Sequence, residues 1–198
     1  MIILAPVTPD GEYPMSGTHS ALRLIEATLA RLCGGLGEPA PPRDDDDQLA
    51  IQRELRRSAW GPDAEPIDMT QVQALVRGLN VAVDVSALPT TTVFSSAAGR
   101  IVLNLLLLAA DSLPAGGTIT LAGTADDLFI RIAGPSATWP AGLAICLSSE
   151  TEAIAALDRE HGVQMAITAI LARATGIRLS VMLTATAQNE PAMLRLGG

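Results

Sequence analysis

Between Ile101 and Ala110 the chain carries an almost unbroken apolar run, IVLNLLLLAA, interrupted once by Asn104 and followed by Pro114 and the pair Gly116-Gly117. Crossing a bilayer takes about 20 apolar residues, so this short stretch, broken by an amide, cannot span one. It reads instead as a strongly apolar helix over 97–112. The turn formers stop it, and the alternating segment Thr118–Leu121 follows as a strand. Any fold for this chain must therefore bury one nearly all-apolar helix beside a sheet.

The chain has 198 residues, enough for one compact domain or a small domain with an extra element. Hydrophobic residues make up 48% and aromatic ones only 3%, so the interior must be built from Ala, Leu, Val and Ile, and bulk disorder is excluded. The net charge is -8 and all 13 basic residues are arginine. An acidic chain repels a phosphate backbone, which argues against a nucleic-acid partner. The lack of lysine removes Schiff-base chemistry and the P-loop phosphate grip. Cys33 and Cys146 lie far apart without ligand-like spacing, so both read as small core residues in a reducing compartment. The start MIILAPV has no basic n-region and is too short for a signal segment. A cytoplasmic protein without membrane contact is expected.

The chain divides unequally. Residues 1–17 are rich in Pro and Gly and read as an irregular lead-in. Over Ser20–Cys33 the apolar residues Ala21, Leu22, Ile25, Leu29 and Leu32 recur at helical spacing, ended by Gly34-Gly35. The stretch Glu38–Asp47 interrupts that helix with prolines and four aspartates, and a second helix is expected from Gln48 to Trp60. Residues 18–62 thus read as a helical hairpin. The run Asp44–Asp47 lacks the alternating ligands and glycine of a calcium loop, so it reads as solvated charge at a helix start, and no metal or cofactor is expected.

Residues 63–198 read as a second unit. A helix is expected over Asp68–Leu79, a strand over Val81–Val85, the apolar helix, then a hairpin of Thr118–Leu121 and Leu128–Ile132 turning at Asp126-Asp127. An irregular stretch Ala133–Leu147, a helix Glu150–Asp158, a helix Val163–Ala174 and a closing strand Arg178–Thr184 complete the order. Antiparallel pairing with helices on one face makes this an α+β fold, a two-layer α/β sandwich behind a helical hairpin.

The segment Ile101–Leu121 resembles the N-box helix of the histidine-kinase and GHKL ATPase fold, where an Asn-bearing helix enters a Pro-x-Gly-Gly turn and a strand. HGVQMAITAILARATGIRLSV, His161–Val181, resembles the last helix and strand of that fold. The resemblance places Leu108 where the ATPases carry the magnesium-holding second Asn, and a leucine cannot ligate a hard cation. It places IAGPS, Ile132–Ser136, where the adenine-reading Asp box belongs, without a carboxylate, and it leaves Gly162 alone of the glycine-rich loop. The resemblance therefore implies a kinase-like domain without ATP.

A hairpin joined to such a degenerate domain resembles the ChpT-type histidine phosphotransferases over about Ala21–Leu183. That resemblance implies a homodimer whose hairpins form a four-helix bundle, with response-regulator receiver domains and a hybrid histidine kinase as partners. It also implies a phosphoacceptor histidine on the first hairpin helix. Aligned on ALARLC, the acceptor and its acidic neighbour fall on Gly34 and Gly35, and the nucleophile is absent; the alternative alignment makes His19 the catalytic acceptor. His161 reads as a surface residue ahead of the last helix. Trp60 is expected to pack hairpin onto sandwich, while Trp139 either meets a partner or covers the sheet. Two other functions remain open at this point, an ATP-binding GHKL-type kinase with unusual boxes and a non-catalytic dimeric scaffold.

Overall fold

The computed structural model describes residues 44–61, 65–159, 162–182 and 191–197. The lead-in 1–17, His19, the helix expected over Ser20–Cys33, Gly34 and His161 lie outside the described residues.

Helix α1 spans Asp44–Trp60 and begins at Asp44 rather than Gln48. The helix takes in the aspartate run instead of starting after it. Strand β1 (Ile67–Asp68) leads into α2 (Met69–Val76). Here Asp68 does double duty: its carboxylate accepts from the Gln71 N–H at 2.8 Å while its own N–H donates to the Gln71 side chain at 2.9 Å. That reciprocal cap fixes the helix start one residue later than the sequence spacing suggests. Strands β2 (Ala82–Ala87) and β3 (Val93–Phe94) follow, and Ser95 caps α3 (Ser96–Asp111) by accepting from the Ala98 N–H at 3.2 Å. The hairpin β4 (Thr118–Gly123) and β5 (Asp127–Ala133) leads to α4 (Leu143–Ser148), α5 (Glu150–Ala155) with a 3₁₀ turn at Ala156–Asp158, α6 (Val163–Thr175), β6 (Arg178–Met182) and β7 (Met193–Gly197).

The fold is α+β. Its main sheet runs β2-β4-β5-β7-β6, and β1 pairs with β3 apart from it. Four expectations need correction. The sheet is mixed, since β2 and β4 pair in parallel with Ile119 opposite Val83. The chain leaves β2, passes through α3 and returns in β4, and a crossover through a helix is the connection that parallel strands require. The segment Arg178–Met182 does not close the sheet alone, because Met193–Gly197 inserts between β5 and β6. The stretch Ala133–Leu147 is not irregular throughout, since α4 begins at Leu143. Asp127 also lies in β5 rather than in the turn before it.

Burial alternates along the strands. Ile119, Leu121, Leu128, Ile130, Ile132, Leu194 and Leu196 are buried under the helices, while Thr120, Arg131 and Arg195 lie on the opposite, open face. Helix α3 is the centre of the core. From Ile101 to Ala109 every residue is buried, Asn104 included, because α3 packs against α1 and α6 as well as the sheet. A helix covered on all sides has no use for a polar face, which is the physical origin of the run IVLNLLLLAA. None of the described helices is long and apolar enough to cross a membrane.

Candidate functional site

The polar break in the apolar run sits at the junction of three helices. Asn104 is fully buried. Its side-chain N–H donates to the Ala59 carbonyl at 2.7 Å and to the Arg100 carbonyl at 2.8 Å. Its side-chain oxygen accepts from the Trp60 indole at 3.1 Å and from Gln164 at 3.0 Å. Both donors and the acceptor are thus occupied by protein. Burying an amide without partners would cost several kcal/mol, on the order of 2–7; with this set of partners the residue is retained inside an apolar helix.

Each partner has its own support. Trp60 is the last residue of α1, and its indole lies half-buried against the core. Gln164 also donates to the Asn104 carbonyl at 3.1 Å, and Thr168, one turn along α6, returns its hydroxyl to the Gln164 carbonyl at 2.7 Å. Arg100, one turn before Asn104 on α3, reaches the Trp60 carbonyl at 3.4 Å. Trp60 packs α1 onto the core with a hydrogen bond added, while the other helix of the expected hairpin lies outside the described residues. The roles of Gln164 and Arg100 were not legible in the sequence; the one available signal was a polar residue four positions before Thr168 at the start of an apolar helix.

Beside this node lies a groove of about 600 Å³ whose lining includes Trp60, Leu107, Leu108, Pro114, Val163 and Gln164. Of the positions matched to the nucleotide-binding boxes, Leu108 lines this groove. Leu108 is buried, leaving apolar carbon where a magnesium ligand would be needed. Gly134 carries no neighbouring carboxylate and is used for packing instead. A Cβ on Gly134 would meet the Gly116 carbonyl oxygen at 2.5 Å, and one on Gly117, at φ +151°, would meet the Ala133 carbonyl oxygen at 2.3 Å. These glycines let two backbone turns touch. The residues present do not fit a magnesium nucleotide. Among the described residues no cluster of His, Cys, Asp and Glu could hold a metal ion.

Trp139 covers rather than protrudes. Its ring packs against the core, and its indole donates to the Ala192 carbonyl at 2.5 Å, tying the segment after β5 to the entry of β7. On the open sheet face Arg195 grips Asp127 through two bonds, 2.7 and 3.0 Å, and lies over the Phe129 ring at 5.6 Å. The bond from Arg195 holds the Asp127 carboxyl below the ordinary range and raises the guanidinium in return. Hydrogen bonds from Ser86 lower the Asp84 carboxyl. Burial pushes the Cys146 thiol up, the nearby Arg159 charge opposing it in part. Cys146 is the small core residue that the sequence suggests; Cys33 lies outside the described residues. Neither histidine is among the described residues, so the described site contains no imidazole nucleophile.

Residues 69–187 match the family described as the histidine phosphotransferase C-terminal domain. Among curated proteins none is significantly similar in sequence. A solved bacterial phosphotransferase is 20% identical with a TM-score of 0.54, covering 90% of this chain and 87% of its own. A mycobacterial sensor histidine kinase, MprB, is 20% identical with a TM-score of 0.42, covering 68% of this chain and 95% of its own. A histidine kinase from Burkholderia phymatum is 14% identical with a TM-score of 0.39, covering 93% of this chain and 100% of its own. The family match takes in the buried Asn104 helix, the Pro114-to-Gly117 turn and the sheet around them, and on that ground the chain belongs to the histidine phosphotransferase family of two-component phosphotransfer proteins.

Proposed function

We propose that this protein docks response-regulator receiver domains as a homodimer, without binding ATP, in the cytoplasm. The observation that carries the reading is the fate of the N box: Asn104 is consumed by Ala59, Arg100, Trp60 and Gln164, and Leu108 is core. In this reading residues 18–62 form the hairpin that dimerises as a four-helix bundle, and residues 63–198 are a kinase-like domain that offers docking surface. Upstream, a hybrid histidine kinase supplies the phosphoryl group to the relay.

Transfer requires a neutral imidazole nitrogen that attacks an aspartyl phosphate in line, forming the N–P bond as the P–O bond to the carboxylate breaks, while the receiver's magnesium balances the charge. Gly34 stands at the usual acceptor position and cannot do this, which makes the protein a binding partner rather than a relay; His19 is the one competing acceptor.

The test is transfer of labelled phosphoryl from a phosphorylated receiver domain to the wild type and to His19→Ala, with receiver binding followed in parallel. Binding without label on either protein is expected. Label on the wild type that disappears in His19→Ala would make His19 the acceptor and overturn the binding-only reading. Micromolar binding of magnesium-ATP in calorimetry would overturn the ATP-free reading, and a monomer at micromolar concentration in light scattering would overturn the bundle.

A further inference from the structure

We infer that Asn104 is a lock that joins α1 to the α/β domain as one rigid unit. A helix ends with carbonyls that have no partner of their own. In α1 those carbonyls are taken by side chains from a different helix, the Ala59 carbonyl by Asn104 at 2.7 Å and the Trp60 carbonyl by Arg100 at 3.4 Å. The two capping residues stand one turn apart on α3, so they meet successive carbonyls at the end of α1. Asn104 then closes the node from its other side by accepting from the Trp60 indole, and Gln164 extends it to α6.

The lock does not act at one end only. Toward the start of α1, Gln48 donates to the Asn80 side chain at 2.8 Å. Gly78 lies so close that a Cβ there would stand 3.0 Å from the Gln52 backbone nitrogen. Between these ends Leu55 and Ala59 are fully buried against the domain. A helix held at its start, middle and end cannot swing about a linker, and the polar end contact is directional where the apolar middle is not. This device differs from a nucleotide-gated hinge, because the amide is spent on fixing an angle. On the receiver-docking reading, a partner that touches both α1 and the α/β domain meets a preformed two-part surface.

The angle is tested by spin labels on Arg53→Cys, exposed on α1, and Arg178→Cys, exposed on β6, in a Cys33→Ser background diluted into excess unlabelled protein. Pulsed dipolar distances should be narrow in the otherwise wild-type chain and at least about twice as broad with Asn104→Ala, with far-ultraviolet dichroism retained. Trp60→Phe keeps the ring and removes only the indole donor, so it should broaden the distribution less. It also serves should Asn104→Ala not fold. A wild-type distribution as broad as the variants, or unchanged widths in both variants, would overturn the lock. If the competent angle falls to about a tenth of the population, receiver binding weakens about tenfold. Broadening in a protein that binds no receiver would sink the docking reading alone, whereas receiver binding with unchanged widths would sink the lock alone.

Discussion

The Trp60 indole donates to the side-chain oxygen of Asn104 across 3.1 Å, and through this bond the last residue of α1 is held by the one polar side chain in the middle of the apolar helix α3. Two features that the sequence presents separately, an aromatic before Gly61-Pro62 and an amide in a leucine run, are one structural unit.

Asn104→Leu keeps the branching and number of side-chain heavy atoms and removes every polar side-chain contact. It leaves the Ala59 carbonyl without its donor and the Trp60 indole without its acceptor in a buried site. An unsatisfied buried group costs about 1–3 kcal/mol, so a loss of about 3 kcal/mol is expected, read as a lower urea midpoint at unchanged slope.

Leu108→Asn restores the N-box amide in sequence but places it among buried apolar side chains. A destabilisation of roughly 2–4 kcal/mol is expected, and calorimetry should detect no magnesium-ATP binding, because the stretch Ile132–Ser136 still offers no carboxylate to adenine. Binding by this single variant would show that the groove is one residue from competence.

The two glycines after Pro114 should differ in their tolerance of alanine. At Gly116, φ is +78° and a Cβ meets nothing within 4 Å, so Gly116→Ala carries only the left-handed backbone penalty of about 1–2 kcal/mol. At Gly117 the added carbon would stand 2.3 Å from the Ala133 oxygen. Separating the two turns is expected to cost roughly 3 kcal/mol or more. Thermal unfolding of the pair measures the difference.

Asp127 titrates below an ordinary aspartate because Arg195 binds its ionised form. Its folded value lies under the unfolded one, so the contribution to stability is present above the unfolded value and disappears as pH falls through the folded one. Arg195→Met should return the Asp127 carboxyl toward its ordinary value in a carbon-detected titration. Stability at neutral pH should barely move, since an exposed pair on an open sheet face is well screened. An unmoved titration would show that the bidentate contact does not persist in solution.

Much of the fold was legible because burial leaves a periodic mark. The helices over Ser96–Asp111 and Val163–Thr175 and the hairpin β4–β5 fall within a residue or two of where apolar spacing puts them. The short strands β1 and β3 were not legible, since two residues cannot carry a period and these exist only through the pairing of Ile67 with Phe94 and Asp68 with Val93. Strand β7 was missed for a related reason: MLRLG is an alternating segment whose place between β5 and β6 depends on partners far away in sequence. Of the candidate site, Asn104, Leu108 and Trp60 stood out as residue types in an unusual setting. Gln164 and Arg100 did not, because an exposed-looking polar residue near a helix start has many uses.

By itself the sequence determined that this chain builds an aliphatic α+β core around one wholly buried helix, and, at the positions its resemblance to the kinase fold assigns to the boxes, that Leu108 replaces the second amide and Ile132–Ser136 holds no carboxylate. Both follow from local chemistry: leucine cannot bind a hard cation, and an all-apolar helix must be covered on every side. Tertiary structure alone decided what the remaining amide does. A hydrogen bond is directional and short, so the partner of Asn104 depends on which helix end arrives within about 3 Å of it, and only the packing of α1 and α6 against α3 brings Ala59, Trp60 and Gln164 to that distance.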